Sequence, residues 1–354
     1  MTSPQRPGPR VSVKGHSLDE AWLALHDEPA LEPELPIIDP HQHLWDQRPH
    51  SYLLPEILAD LACGHDVRAT VYVEAGAMYR AEGDPRFASV GEVEFVNGIA
   101  AMSASGAYGR ARIAAGIVGH ADLRQGGAAR EVLERLIQVS PERFRGIRHM
   151  GAFEATPGVT SLPKPPPPGL YGDACFREGF AQLAPLGLSF DAWLYHPQLD
   201  DLCSLADASP GTTIVMDHMG GRIGVAGYAE RPDEVDRVWR ARVEEVARRP
   251  NVVCKLGGFG MRLNGFGFHE RPRPPTSEDL ARRWRPYVEA CLAAFGTERC
   301  MFESNFPVDK LSCRYGVLWN AFKRLASGAS ADEKRALFAG TAARVYRLDP
   351  ALIG

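Results

Sequence analysis

The sequence has no run of about 18 apolar residues, so it offers no membrane span. It has no C-x-x-C spacing either. Its seven cysteines, Cys63, Cys175, Cys203, Cys254, Cys291, Cys300 and Cys313, are odd in number and scattered, which excludes a disulfide framework or zinc ribbon and reads as reduced, mostly buried thiols. Charge of neither sign dominates. A formal charge of −4 and a pI near 6.3 leave no basic footprint for phosphate neutralisation, so nucleic-acid binding is set aside. No apolar h-region follows the N-terminal MTSPQRPGPRVSVKGH, and the cytoplasm is the expected location. A G-x-S-x-G elbow, a Walker loop, G-x-G-x-x-G and H-E-x-x-H are all missing, which disfavours serine hydrolases, nucleotide enzymes and zincin proteases. No internal repeat occurs.

What is present is an ordinary globular balance, 45% apolar and 24% charged, over 354 residues. Short β-branched runs alternate with longer helical stretches, the pattern of parallel strands joined by crossover helices. Eight strands are expected near 36–41, 67–74, 112–119, 144–149, 188–194, 213–218, 252–257 and 299–304. Helix-like segments lie between them at Gly91–Ser105, Ala128–Ile137, Cys175–Leu183, Glu230–Arg248 and Ser277–Phe295. Eight such units make a (β/α)8 TIM barrel, α/β in class, over residues 36–354. Residues 1–35 then form an N-terminal extension, frayed to about residue 16 and followed by a short capped helix, Ser17–Leu25. Two insertions follow strands and are candidate lids over the barrel mouth: Thr156–Leu170, containing PKPPPPG, and Gly257–Pro275.

The strongest local signal is IIDPHQHLW, an apolar strand ending in His41-Gln42-His43. Period-2 geometry puts both imidazoles on one face, where they could bind a cation or polarise a carbonyl. H-x-H alone also describes packed or solvent-facing histidines. Other polar residues stand where apolar strands stop: Glu74, Arg148, His149, Asp191, His196, His218, Lys255, Glu303, Ser304 and Asn305. A barrel active site is built from such strand ends. Arg148 and Lys255 suit an anionic substrate group or a structural ion pair, and Glu74 and His149 join them as substrate-binding candidates. Asp217 precedes His218 and by parity should point away from it.

Taken in order, DPHQHLW, GIRH, VMDHMGG, CKLGG and MFESNFP resemble the amidohydrolase-related family of the amidohydrolase superfamily, which includes sugar-lactone and pyrone-dicarboxylate lactonases. The resemblance spans about residues 36 to 349, including the closing segment Ala331–Leu348. It implies a distorted barrel that hydrolyses lactones, with His41, His43 and His218 facing the substrate. It also implies one divalent ion on those three histidines, zinc first, or a metal-independent reaction, since family members differ. One departure matters. The family's strand-eight G-S-D-W-P, whose Asp is the general base, reads Glu303-Ser304-Asn305-Phe306-Pro307 here. An asparagine amide cannot accept a proton from water at neutral pH. Glu303 is the first expected replacement and Glu74 the second, their pKa values raised by burial, while the bland alternative pairs Glu303 with Lys255 or Arg148. A second departure, Thr341 in the family's G-N-A-A-R, reads as structural.

The expected function is therefore hydrolysis of a lactone or related cyclic ester on a small, carboxylate-bearing substrate, with homo-oligomerisation left open. Two alternatives stand beside it: decarboxylase or other lyase chemistry on an aromatic or unsaturated acid, and a catalytically inactive binding barrel.

Overall fold

A computed structural model describes residues 11–13, 16–47, 50–159 and 165–353. Eight parallel strands form one sheet in sequence order: β1 (Pro36–Gln42), β2 (Asp66–Val73), β3 (Arg112–Gly119), β4 (Phe144–Arg148), β5 (Ser189–Ala192), β6 (Ile214–Met216), β7 (Val252–Leu256) and β8 (Cys300–Phe302). A parallel bridge, Gln42 to Phe306, brings the two edges together. Each strand is followed by a helix: α1 (Leu54–Leu61), α2 (Val90–Ala104), α3 (Ala129–Val139), α4 (Ala174–Phe180), α5 (Leu199–Ala208), α6 (Pro232–Ala247), α7 (Ser277–Phe295) and α8 (Tyr315–Leu325). This is a (β/α)8 barrel, and each of its expected strands and helices has its counterpart within a few residues.

Strand alternation divides the apolar residues into two cores. Ile37, Tyr72, Ile117, Phe190 and Phe302 face the helices. Ile38, Val71, Val118, Val215, Val253 and Met301 face the axis, where they pack on Ala339, Ala342, Val345 and Tyr346 of the closing segment. That plug fills one end of the barrel and leaves the other for polar groups. Alternation fails at the end of β1, where the β1–β2 register shifts between Asp39 and Gln42. Such a bulge re-aims the side chains beyond it.

Two expectations near the N-terminus are corrected. Val11–Val13 pairs antiparallel with His16–Leu18 instead of fraying, and residues 1–10 and 14–15 lie outside the described residues. The helix spans only Glu20–Leu23, because Asp19, not Ser17, caps it by accepting the Trp22 N–H at 2.9 Å. Part of the first candidate lid, residues 160–164, also lies outside the described residues. Among the described residues no helix is long and apolar enough to cross a membrane.

Candidate active site

Backbone hydrogen bonds stitch the end of β1 to the loop after β8. The His43 N–H donates to Phe306 O at 2.8 Å and the Asn305 N–H to His41 O at 3.0 Å. Asp39, fully buried, accepts from the Ser304 N–H and the Tyr315 hydroxyl. These contacts fix where both histidines stand, with ring centroids 5.0 Å apart. His43 Nδ1 lies 2.8 Å from Val73 O, which can only accept, so Nδ1 carries the proton.

At the end of β6 the chain turns left-handed, with φ of 52° at His218 and 55° at Met219. Such positions cost about 1–3 kcal/mol each and persist only where surroundings enforce them. The Trp239 indole helps by donating to Met219 O at 2.8 Å. This turn cancels strand parity, so Asp217 and His218 both reach the axis. The expectation that Asp217 points away is overturned: it is fully buried, 3.2 Å from Lys255 and 3.6 Å from His41.

Glu303 sits between the two imidazoles. Its Oε1 accepts from His218 Nδ1 at 2.6 Å and from the His218 backbone N–H at 3.2 Å, and its Oε2 lies 2.7 Å from His41 Nδ1, off the line of a hydrogen bond. The Gly257-Gly258 pair after β7 makes this possible. A Cβ on Gly257 would stand 2.2 Å from Glu303 Cγ, and one on Gly258, whose φ is +67°, 2.5 Å from His218 Nδ1. Burial alone would raise the Glu303 carboxyl, but His218 and then His41 outweigh it and hold the group well below the usual carboxylate range. Glu303 is thus an ionised partner of two histidines. It is neither the raised-pKa base expected from the sequence nor the Lys255 or Arg148 ion pair of the bland reading.

Beneath lies a sealed network of charges. Glu74 accepts from Arg148 Nε at 2.8 Å, and Arg148 Nη1 reaches His41 Nε2 at 3.3 Å and Asp217 at 3.7 Å. Lys255 Nζ donates to Asp191 at 2.6 Å, and the Tyr346 hydroxyl to the same oxygen at 2.8 Å. Burial, then the Lys255 charge, pushes the His41 imidazole well below its usual pKa. Both ring nitrogens of the neutral His41 face cationic donors, Nε2 toward Arg148 at 3.3 Å and Nδ1 toward Lys255 at 3.2 Å. Desolvation opposes the charge of Lys255, yet Asp191 and Asp217 raise its pKa overall. Four carboxylates, Glu74, Asp191, Asp217 and Glu303, here face two permanent cations.

Above this network opens a cavity of about 590 Å³, whose wall includes His43, Arg148, His218 and Asn305. The loop 257–275 supplies part of the wall through Met261, Arg262, Leu263, His269 and Glu270. Asn305, at φ 55°, donates from Nδ2 to Asp309 Oδ1 at 2.8 Å, while Asp309 Oδ2 accepts the Gly260 N–H at 2.7 Å. That turns the Asn305 carbonyl oxygen away from Asp309. Burial pushes the Asp309 carboxyl up to about 7.

Of the residues singled out from sequence, then, His43, Arg148, His218 and Asn305 line the cavity. His41, Glu74, Lys255 and Glu303 lie beneath it, and Lys255, fully buried against Asp191, reaches no substrate anion. His149 goes elsewhere: its Nδ1 accepts the Leu123 N–H at 3.3 Å and its ring packs on Phe176. Sequence reasoning missed Asp217, Asp309 and Trp193, whose indole stands edge-on to the His218 ring at 4.7 Å. Asp309 had a signal, lying four residues after Asn305.

Among the described residues one group has metal-ligating geometry, His41, Asp217 and His218, with donor atoms within 4.8 Å of one another. Asp217 takes the place in which the sequence reading put His43. Both Asp217 oxygens and Glu303 Oε2 are buried without a hydrogen bond, as oxygens facing a cation would be. Lys255 Nζ, 3.2 Å from Asp217 Oδ1 and from His41 Nδ1, stands at one side of the same space. The donor set fits one divalent ion.

Residues 38–348 match the amidohydrolase family model. An uncharacterized protein of Sinorhizobium fredii is 33% identical over 337 residues, covering 89% of this chain and 99% of its own length. An L-fucono-1,5-lactonase of Burkholderia multivorans is 31% identical over 325 residues, 88% of this chain and 96% of that one. A crystal structure of an amidohydrolase from Burkholderia multivorans with bound zinc superposes with a TM-score of 0.68 at 29% identity, covering 88% of this chain and 99% of the other.

Proposed function

The chain belongs to the amidohydrolase family, and from that premise we propose that it is a lactone hydrolase in which His218, oriented by Glu303, activates water. The observation that carries the reading is the 2.6 Å contact from Glu303 to His218 Nδ1, with the same ring on the cavity wall. It fixes the tautomer and leaves Nε2 as proton acceptor, the arrangement by which a buried carboxylate turns a histidine into a general base. Water gives its proton to His218 as its oxygen attacks the lactone carbonyl. The surplus of buried carboxylates stabilises the imidazolium that forms. Arg148 supplies positive charge for the oxyanion, and the Asn305 carbonyl oxygen holds the second water hydrogen. Collapse of the intermediate breaks the ring C–O bond, and His218 returns its proton to the leaving oxygen, giving a hydroxy acid.

The donors that would hold a metal are His41, Asp217 and His218, and the imidazole–carboxylate set favours zinc; an ion on His218 would take the lone pair that otherwise accepts the water proton, so the two forms of the site are alternatives. When bound, the ion supplies Lewis acidity toward the carbonyl and a more acidic water. All seven cysteines are free thiols, which suits a reducing compartment such as the cytoplasm.

A lactone panel followed by acid release tests the reading. His218→Asn and His43→Ala are expected to lower kcat/KM at least about 1,000-fold with unchanged circular dichroism. Full activity in both variants overturns it.

A further inference from the structure

We propose that the lactone opened at this site carries an apolar alkyl or aryl substituent, in place of the several hydroxyls of a sugar lactone. The inference rests on the hydrolase reading for its chemistry and on the cavity wall for its choice of substrate.

Polar side chains gather at the two ends of the cavity. At the inner end His43, Arg148, His218 and Asn305 are engaged by the reaction or by the protein around them. At the outer end Arg262 and Glu270 are exposed to solvent and His269 is half-buried. Between these ends the wall is apolar. Val159 and Leu263, with Met150, Val225 and Met261 packed against them, form one hydrophobic cluster with Trp193 and Tyr195, and Val308 and Leu311 add further apolar surface. Among the described residues, the side-chain hydrogen-bonding groups in this stretch are the Trp193 indole N–H and the Tyr195 hydroxyl.

A sugar lactone held here would bury three or four hydroxyls against a wall with two such groups. Each hydroxyl placed in an apolar pocket without a partner costs roughly 100-fold in kcat/KM, so two leave a discrimination of about 100-fold or more against the sugar. A hydrocarbon substituent has the opposite effect. Each methylene moved from water to such a wall is worth about fourfold, until the chain reaches the exposed rim. A cavity of about 590 Å³ has room for a lactone ring and a substituent of several carbons.

The test compares δ-valerolactone, δ-hexalactone, δ-octalactone and δ-decalactone with L-fucono-1,5-lactone, using the full-length protein at neutral pH. Turnover is read by acid release, and binding of each lactone's hydroxy acid by titration calorimetry. The expected result is a kcat/KM that rises about fourfold per methylene before levelling, with the sugar lactone at least 100-fold below the best alkyl lactone, and the same rank order in affinity. Efficient opening of the sugar lactone, or a flat alkyl series, overturns the inference while the hydrolase reading stands. Ordered binding of the alkyl acids without turnover leaves the apolar subsite standing and removes the hydrolase reading. Neither binding nor turnover of any member removes both.

Discussion

Glu303→Gln separates a base-orienting carboxylate from a merely structural one. The substitution keeps volume and one acceptor oxygen, so His218 Nδ1–H still has a partner, but the negative charge 2.6 Å away is gone. Two unit charges about 4 Å apart in surroundings of effective dielectric near 20 attract by about 4 kcal/mol. That attraction exists only once His218 has taken the proton, so its loss falls on the transition state and predicts about a 1,000-fold drop in kcat. Stability should respond differently. Four carboxylates face two permanent cations around this point, so removing one charge relieves repulsion as well as attraction. The thermal midpoint is expected to stay within a few degrees of the wild type. The assay is kcat on the best lactone of the panel, with unfolding followed in parallel. Activity within tenfold of wild type in Glu303→Gln refutes the orienting role.

Asp217→Ala should lower zinc content measured by atomic emission after dialysis against zinc, whereas His43→Ala should bind zinc normally while losing turnover; the reverse pattern returns His43 to the donor set. Asn305→Asp would set a second carboxylate oxygen against Asp309 Oδ1, now 2.8 Å from the amide, and should destabilise the protein by about 1–3 kcal/mol and slow it at least tenfold. A faster Asn305→Asp enzyme would mean that the asparagine marks a lost base. His65, buried beside Lys323, has its pKa lowered to about 4, first by burial and then by the Lys323 charge. The unfolded chain therefore binds the extra proton between about pH 6.5 and 4, so stability is full above that window and falls as pH drops through it, by about 1–2 kcal/mol from pH 7 to 5. Urea midpoints that show the same pH slope in wild type and His65→Gln would sink this assignment.

The barrel was legible because its signal is periodic. Each strand is an apolar run with one face to the helices and one to the axis, and each run ends on polar residues. Reading the site required more than period two. Asp217 was misplaced because parity assumes extended backbone, and the positive φ at His218 ends that assumption. His149 looked like a mouth residue because it closes β4, yet it turns toward Leu123 and Phe176. The partners of Glu303 were hidden for another reason. They depend on two glycines nearly fifty residues earlier in the chain, whose missing Cβ atoms leave the space in which carboxylate and imidazole meet. A glycine pair announces tight backbone approach, not what approaches.

The missing strand-eight aspartate looks different in this light. A carboxylate base at position 305 would stand beside Asp309, which is buried, sits four residues on and needs a donor. Asparagine supplies that donor and still offers an oxygen to water. The negative charge that the base would have carried lies instead on Glu303, where it is fully buried and spans His41 and His218. In the proposed mechanism, moving the charge behind the imidazole makes the proton acceptor a histidine instead of a carboxylate. The asparagine and the glutamate therefore belong to one arrangement, in which each makes sense of the other. Loss of the aspartate alone would predict an inactive barrel, whereas the pair of changes predicts an active one that fails when Glu303 loses its charge.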